Sequence, residues 1–392
     1  MMKQLFIFVI LSLSLMGQSA YNRLGYGTFD LVNDPLGSSI GNGMVALQDS
    51  GRITLHNPAT LNGLEKVRFG VSLISDFTSS NDLLTNITRL EQFSIAFPLG
   101  NNFGLSLGAH AVADFTTDYE ATIQAGTLVE NSTGGLWDYQ LGLGYAVNPK
   151  FNLGLKFHML QGTLRRELIL DTEDLNELYV LKGNISGKSV ELGMLSQLGD
   201  NFSLGVTVDV PYDLPLLSGT DSLAGTLESM GYDEELAAWP TTIRLGLVYH
   251  QSKYTNIAVG IGQQIFSDSG FSDALLFGLP AGWQTVPAAS FQIALQKLAV
   301  DRQSRFAPKR MGWQVGLSVK NHYLAPESEK LIYEYALISG LNMGLRNGRS
   351  LFDISGEFGL RQGVEDLPDE LFAQVKFGIQ VSDTWFKKVK RR

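Results

Sequence analysis

Cysteine is absent from all 392 residues. That absence excludes a disulfide framework, a thiolate metal site, a catalytic thiol and the lipid-bearing cysteine of a lipoprotein. Basic charge is also short. The chain has 30 Lys and Arg against 39 Asp and Glu, a formal net charge of −9, whereas a nucleic-acid binder carries a basic face. Past the first residues no run of about 18 apolar residues occurs, so no membrane helix is expected. No Gly-x-Ser-x-Gly elbow and no phosphate loop appear. The histidines His56, His110, His158, His250 and His322 fall on separate segments. No metal site, no cofactor and no enzyme activity are therefore expected. Glycine, by contrast, is abundant: 42 residues against 12 prolines. Without a collagen-like period, that composition points to many turns or to crowded strands.

The first residues form a pattern of their own. Lys3 is followed by an apolar run over residues 5–16, then by the small residues Gly17, Ser19 and Ala20. This reads as a secretory signal peptide over residues 1–17, too short to span a bilayer comfortably, with cleavage after Ala20 as the alternative. An exported chain without a membrane helix is either soluble or a membrane barrel.

Alternation favours the barrel. Phe151, Leu153, Leu155, Phe157 and Met159 interleave with Asn152, Gly154, Lys156 and His158. Period two places the two sets on opposite faces of a strand. The pattern returns in Phe103–Ala109, Tyr139–Tyr145, Phe202–Val208, Ile243–Tyr249, Trp313–Val319 and Ala373–Val381. A soluble sandwich alternates as well. These segments are about ten residues long, however, and carry aromatics at their ends, as tilted spanning strands with an interfacial girdle do. The fold class expected is all-β, a transmembrane antiparallel up-and-down barrel of about fourteen strands over residues 66–383. Strands are read near 67–76, 87–98, 102–117, 136–147, 151–165, 184–197, 202–210, 240–250, 254–266, 287–298, 310–323, 331–345, 350–361 and 371–382. Short Gly- and Asn-rich links alternate with long ones over 118–135, 167–183, 211–239 and 267–286. Outer-membrane barrels place short turns in the periplasm and long loops outside. Residues 299–309 make an unusually long turn for the periplasmic side.

Residues 18–65 do not alternate and are read as a periplasmic or lumenal plug. A barrel of this size has a lumen too wide for its own side chains to fill. The segment holds a small-residue stretch around Gly41 and Gly43, then Asp49, then Asn57-Pro58-Ala59-Thr60-Leu61 just before the first strand. This beginning resembles the FadL-type outer-membrane transporters and their relatives in Bacteroidota, the PorV-like and PorQ-like barrels. The ending at Trp385, with a basic tail over 384–392, resembles the Bacteroidota relatives. Thr60 stands where those families commonly have a small residue. The resemblance implies an N-terminal hatch containing Gly41, Gly43, Asn57, Pro58, Ala59 and Leu61. It further implies an outer-membrane location and passive transport of hydrophobic small molecules, or else docking with a secretion or outer-membrane assembly complex. The other reading of Asn57-Pro58-Ala59 is a helix-ending turn.

Two long loops are unusually apolar. One holds Leu216, Leu217, Leu223, Leu227 and Met230; the last three are spaced as on one helix face. The other holds Phe271, Leu276, Phe277 and Trp283. A large exposed apolar patch marks a binding surface. These loops are read as a hydrophobic ligand site, as a lid over the lumen, or as a partner surface. Outer-membrane lipid is the remaining expected partner; nucleic acid is not. The lumen-facing glycines Gly104, Gly108, Gly142, Gly144, Gly154 and Gly246 either make room for a plug or substrate, or let the wall bend.

Overall fold

The computed structural model describes residues 19, 21, 27–29, 34–49, 51–80, 83–100, 102–123, 126–171, 176–223, 239–266, 282–327, 330–345, 349–364 and 369–383. Fourteen strands form the wall: β1 Val67–Ser80, β2 Leu83–Gly100, β3 Phe103–Asp114, β4 Gly126–Asn148, β5 Phe151–Asp171, β6 Asn176–Leu198 and β7 Phe202–Leu223. β8 Thr241–Ser252, β9 Thr255–Ile265, β10 Ala288–Lys297, β11 Met311–Asn321, β12 Tyr333–Gly344, β13 Ser350–Arg361 and β14 Glu370–Asp383 complete it. Each pairs antiparallel with its neighbours, and β14 returns to β1 from Leu371–Ser79 to Asp383–Val67. The ring is closed, an all-β antiparallel barrel, as the alternation predicts. Closure removes the sheet edges that lipid could not satisfy. Among the described residues no helix is long and apolar enough to cross a membrane.

Burial is the reverse of that in a soluble sandwich. Leu153, Phe157 and Met159 on β5 are exposed, while Asn152, Lys156 and His158 are buried. The greasy face therefore points outward and the polar face inward along this part of the wall. Aromatic pairs band the wall near the short turns, with Phe103 stacked on Tyr145 at 4.5 Å and Phe202 tilted against Tyr249 at 5.0 Å between ring centroids.

The strands match the expected positions, but four of them run further. Much of 118–135, 167–183 and 211–239, expected as loop, is strand. β4 to β7 are 21–23 residues long and continue past the ends of their neighbours, and Thr117–Ile123 adds a short strand to β4. Leu216 and Leu217 lie within β7, and Leu223 closes it opposite Tyr179. Leu223 is thus extended rather than on a helix face; cross-strand pairing with β6 overrides the local i, i+4 spacing. Leu227, Met230, Phe271, Leu276 and Phe277 lie outside the described residues.

Candidate functional site

The lumen is occupied from both ends of the leader. Asp34 accepts a hydrogen bond from the Gly37 amide at 2.9 Å and so caps a helix over Pro35–Ile40, with Pro35 in the first turn. Gly41 ends that helix with φ 71°, a backbone that a side chain would strain. A 3-10 turn over Gly41–Ala46 follows. Leu36, Ile40 and Met44 then share one face, buried against Val248 and Ala258 of the wall. A fully buried side chain of this size contributes about 1.5–3 kcal/mol.

Asn57-Pro58-Ala59 begins a helical turn rather than ending one. The Asn57 side chain accepts from the Ala59 amide and starts the 3-10 helix Pro58–Gly63. Its Nδ2 donates to the Val45 carbonyl at 2.7 Å and the Met194 carbonyl at 2.9 Å. One side chain thereby joins both halves of the plug to β6, and Asn supplies the donor pair and the acceptor this needs.

The wall glycines give the plug its seat. A methyl group on Gly104 would lie 2.1 Å from the Leu61 carbonyl oxygen, and one on Gly154 would lie 2.2 Å from the Ala59 amide nitrogen. Similarly, Gly205 faces the Val45 carbonyl and Gly260 faces the Gly43 amide. Of the two uses expected for lumenal glycine, making room for the plug is the one these positions serve.

Polar clamps hold the seated plug. Asn42 donates to Ser290 at 2.8 Å and Gln292 at 3.0 Å. Gln380 accepts from the Ile53 amide at 2.9 Å. Arg52, fully buried, pairs with Asp353 of β13 at 2.6 Å. Lys156 donates to the Leu55 carbonyl and pairs with Glu191 at 2.9 Å, beside Arg244 and His158. His56 and Asp34 pair at 2.6 Å within the plug. Burial would raise the Asp34 carboxyl, but the neighbouring His56 and the Gly37 amide hold it below the ordinary range. At the short-turn end Arg302 grips Asp49 with both guanidinium Nη atoms. Burial again opposes ionisation there, and Arg302 outweighs it, so Asp49 falls to about 2.

The outer half of the lumen is different in kind. Val112, Phe115, Leu136, Leu160, Leu164 and Ile185 turn inward there, beneath Trp239, Phe266, Trp283, Tyr323 and Leu324. Trp283–Thr285 pairs with Leu324–Pro326 to form a small lid. Trp283 is the member of the second apolar loop that the structure places, and it lies in this cluster. The leader reaches the cluster as well: Tyr21 is buried in it, 4.7 Å below the Arg361 guanidinium. Ser19 is held between Arg361 and Glu370 at 3.0 and 2.7 Å. A polar cavity of about 140 Å³, lined by Asn42, Arg244, Gln292 and Glu334, separates plug from cluster.

Beside the cluster the wall parts. β2 pairs with β3 only up to Gln92–His110. β2 continues along β1 to Leu83, and β3 continues along β4 to Asp114. The leader strand Thr28–Phe29 pairs with Asp114 and Ala113 on the edge that β2 leaves. Arg89 of β2 reaches Asp114 across the gap at 3.4 Å and Asp76 at 2.5 Å. A cavity of about 740 Å³ opens there, lined by Leu90, Ala111 and Trp137 on the outer side and by Gly134, Gly135, Gly162 and Ile185. Neither the Arg52, Arg302 and Tyr21 contacts nor this seam is visible in the sequence. All depend on partners hundreds of residues away or on where a ladder stops. Among the described residues no group of three or more metal-ligating side chains could hold an ion.

A comparison with curated proteins finds no match. The fold is similar to several solved channels. The CymD monoaromatic hydrocarbon channel superposes with a TM-score of 0.65 at 14% identity, over 92% of this chain and all of that one. A FadL homologue of Pseudomonas aeruginosa gives 0.60 at 9% identity, over 90% and 98%. The toluene transporter TodX of Pseudomonas putida gives 0.57 at 15% identity, over 95% and 99%. The FadL architecture is therefore shown by shape. By sequence, a profile of the BamG family matches residues 1–391, leader and barrel together, and the chain belongs to that family.

Proposed function

We propose that the protein is an outer-membrane barrel that admits hydrophobic small molecules to the apolar outer chamber and exchanges them with the membrane through the β2–β3 seam. The observation that carries this is the junction of two features. An apolar cluster closes the outer lumen, and the wall beside it is breached at the height of Trp137. Below the cluster the route is polar and filled by the clamped leader, which favours a sideways path over a straight one. Apolar pockets with a few convergent polar groups are the usual form of small-molecule sites. The fold likeness to hydrocarbon and toluene channels agrees with this reading. Entry of a hydrophobic dye into cells tests it. Wild type should load the dye faster than a strain lacking the protein, and a disulfide closing β2 to β3 should abolish the difference. Equal rates in wild type and the lacking strain would end the proposal.

A second reading is an accessory barrel that docks with a secretion or outer-membrane assembly complex. It is favoured by the density of buried clamps on the plug, which suits a fixed closure better than a gate. Purification in mild detergent tests it: stoichiometric membrane partners support it, and recovery of the chain alone counts against it.

A further inference from the structure

The long turn between β10 and β11 is the unexpected element of the short-turn end, which is periplasmic in barrels of this class. It is built rather than loose. The Asp301 amide donates to the Lys309 carbonyl at 2.9 Å, the Ser304 amide to the Asp301 carbonyl at 3.2 Å, and the Phe306 amide to the Ser304 hydroxyl at 3.2 Å. Its root lies under the plug. The Arg302 side chain grips Asp49, and a methyl on Gly344, on the lumenal side of β12, would meet the Arg302 carbonyl at 2.4 Å. The turn thus folds across the barrel mouth instead of out toward lipid.

On this framed turn Phe306 is 62% exposed and Val300 47% exposed. The ring is held in an exposed position by the turn's own backbone bonds. Exposed aromatic residues ringed by charge are the usual anchors of protein interfaces. The charge is predominantly positive: residues 298–310 hold four cations and one acid, in a chain of net charge −9. Arg302 is committed to the plug, while Arg305 and Lys309 flank Phe306 and are exposed.

We propose that this turn docks an acidic periplasmic protein, which takes Phe306 into an apolar pocket and places carboxylates against Arg305 and Lys309. The proposal rests on the docking reading above and gives it a face. Charge complementarity fixes the partner's chemistry, and the turn's inward fold favours a protein over the inner leaflet.

Photo-cross-linking in cells tests it on the full-length protein, with Phe306→p-benzoylphenylalanine compared with the same change at Leu99, 55% exposed at the end of β2 beside another short turn. The expected result is one discrete protein adduct at position 306, absent at 99, whose partner has an acidic sequence. The adduct should fall at least five-fold when Arg305→Glu and Lys309→Glu are combined. An unchanged heat-modifiable gel shift shows that this variant still forms the barrel. A lipid adduct only, an adduct of twice the chain's mass, or insensitivity to charge reversal overturns the proposal. If large partners co-purify but position 306 yields no protein adduct, this face is refuted and the docking reading stands. If neither is seen, both fall.

Discussion

Single residues set the plug, and they do so by opposite means. At Gly154 the deciding fact is missing volume, since a side chain would meet the Ala59 backbone, which cannot rotate away. Gly154→Val is expected to expel the Asn57–Gly63 turn from its seat. The strand itself should tolerate valine, which suits pleated wall better than glycine. Limited proteolysis checks this: the leader becomes cleavable while the heat-modifiable shift of the barrel persists. At Asp49 the deciding fact is charge. Docked, its carboxyl ionises near 2 against an ordinary 3.8. A depressed acid stabilises docking above the free value, and that stabilisation is lost as pH falls from about 4 through about 2. The shift corresponds to at most about 2 kcal/mol, with Asp49 still 22% exposed. Pepsin cleavage of the leader should therefore quicken as pH drops from 4 to 2. Asp49→Asn should be cleaved readily at both pH values; equal pH dependence in wild type and variant would refute the role of this carboxylate.

Elements were legible where a single period governs them. Phe151–Met159 alternates without a break, and β5 lies there with the predicted faces outward and inward. Legibility ended where pairing, not pattern, decides. Residues 167–183 look like loop because Glu, Asp and Asn interrupt the apolar set, but outside the bilayer a hairpin needs no greasy face, and β5 pairs with β6 to Asp171–Asn176. The alternation marks wall glycines such as Gly104 and Gly154 as lumen-facing, but which plug atom each meets is not legible, because those contacts join segments more than 40 residues apart. The seam is the same kind of fact at the level of a ladder. Among the described residues β2 has a strand partner on one side only above Gln92, apart from the side-chain bridge of Arg89. Amides bonded on neither side exchange readily. Hydrogen exchange should thus run at least ten-fold faster at the alternate amides of residues 83–90 that point away from β1 than over 93–98. Equal protection of the two stretches would mean that the wall is continuous there in solution, and the side path would lose its opening.

For the molecule as a whole, the main question is whether barrel and leader form one cooperative unit or two. The wall closes on itself without the leader, so its backbone bonds survive the leader's departure. The leader, by contrast, buries its apolar face against the wall, and its Asp49 and Arg52 find their partners on the wall and its turn. Arg52 and Asp353 couple the two most directly, with side chains 1% and 3% exposed. Breaking a buried pair by removing one partner costs about 3–5 kcal/mol, whereas replacing both by apolar residues is close to neutral. Arg52→Leu alone should then shift the leader toward its released state by roughly a thousand-fold, because Asp353 is left buried without its partner. Arg52→Leu combined with Asp353→Leu should restore most of the docking. The readout is the rate of leader proteolysis under native conditions, alongside the temperature of the heat-modifiable transition, which reports the wall. Two units predict that the single variant changes the first and leaves the second in place. If both move together and by the same free energy, leader and wall unfold as one. A leader that fixed in place could not gate anything, and the accessory reading would then gain over the conduit.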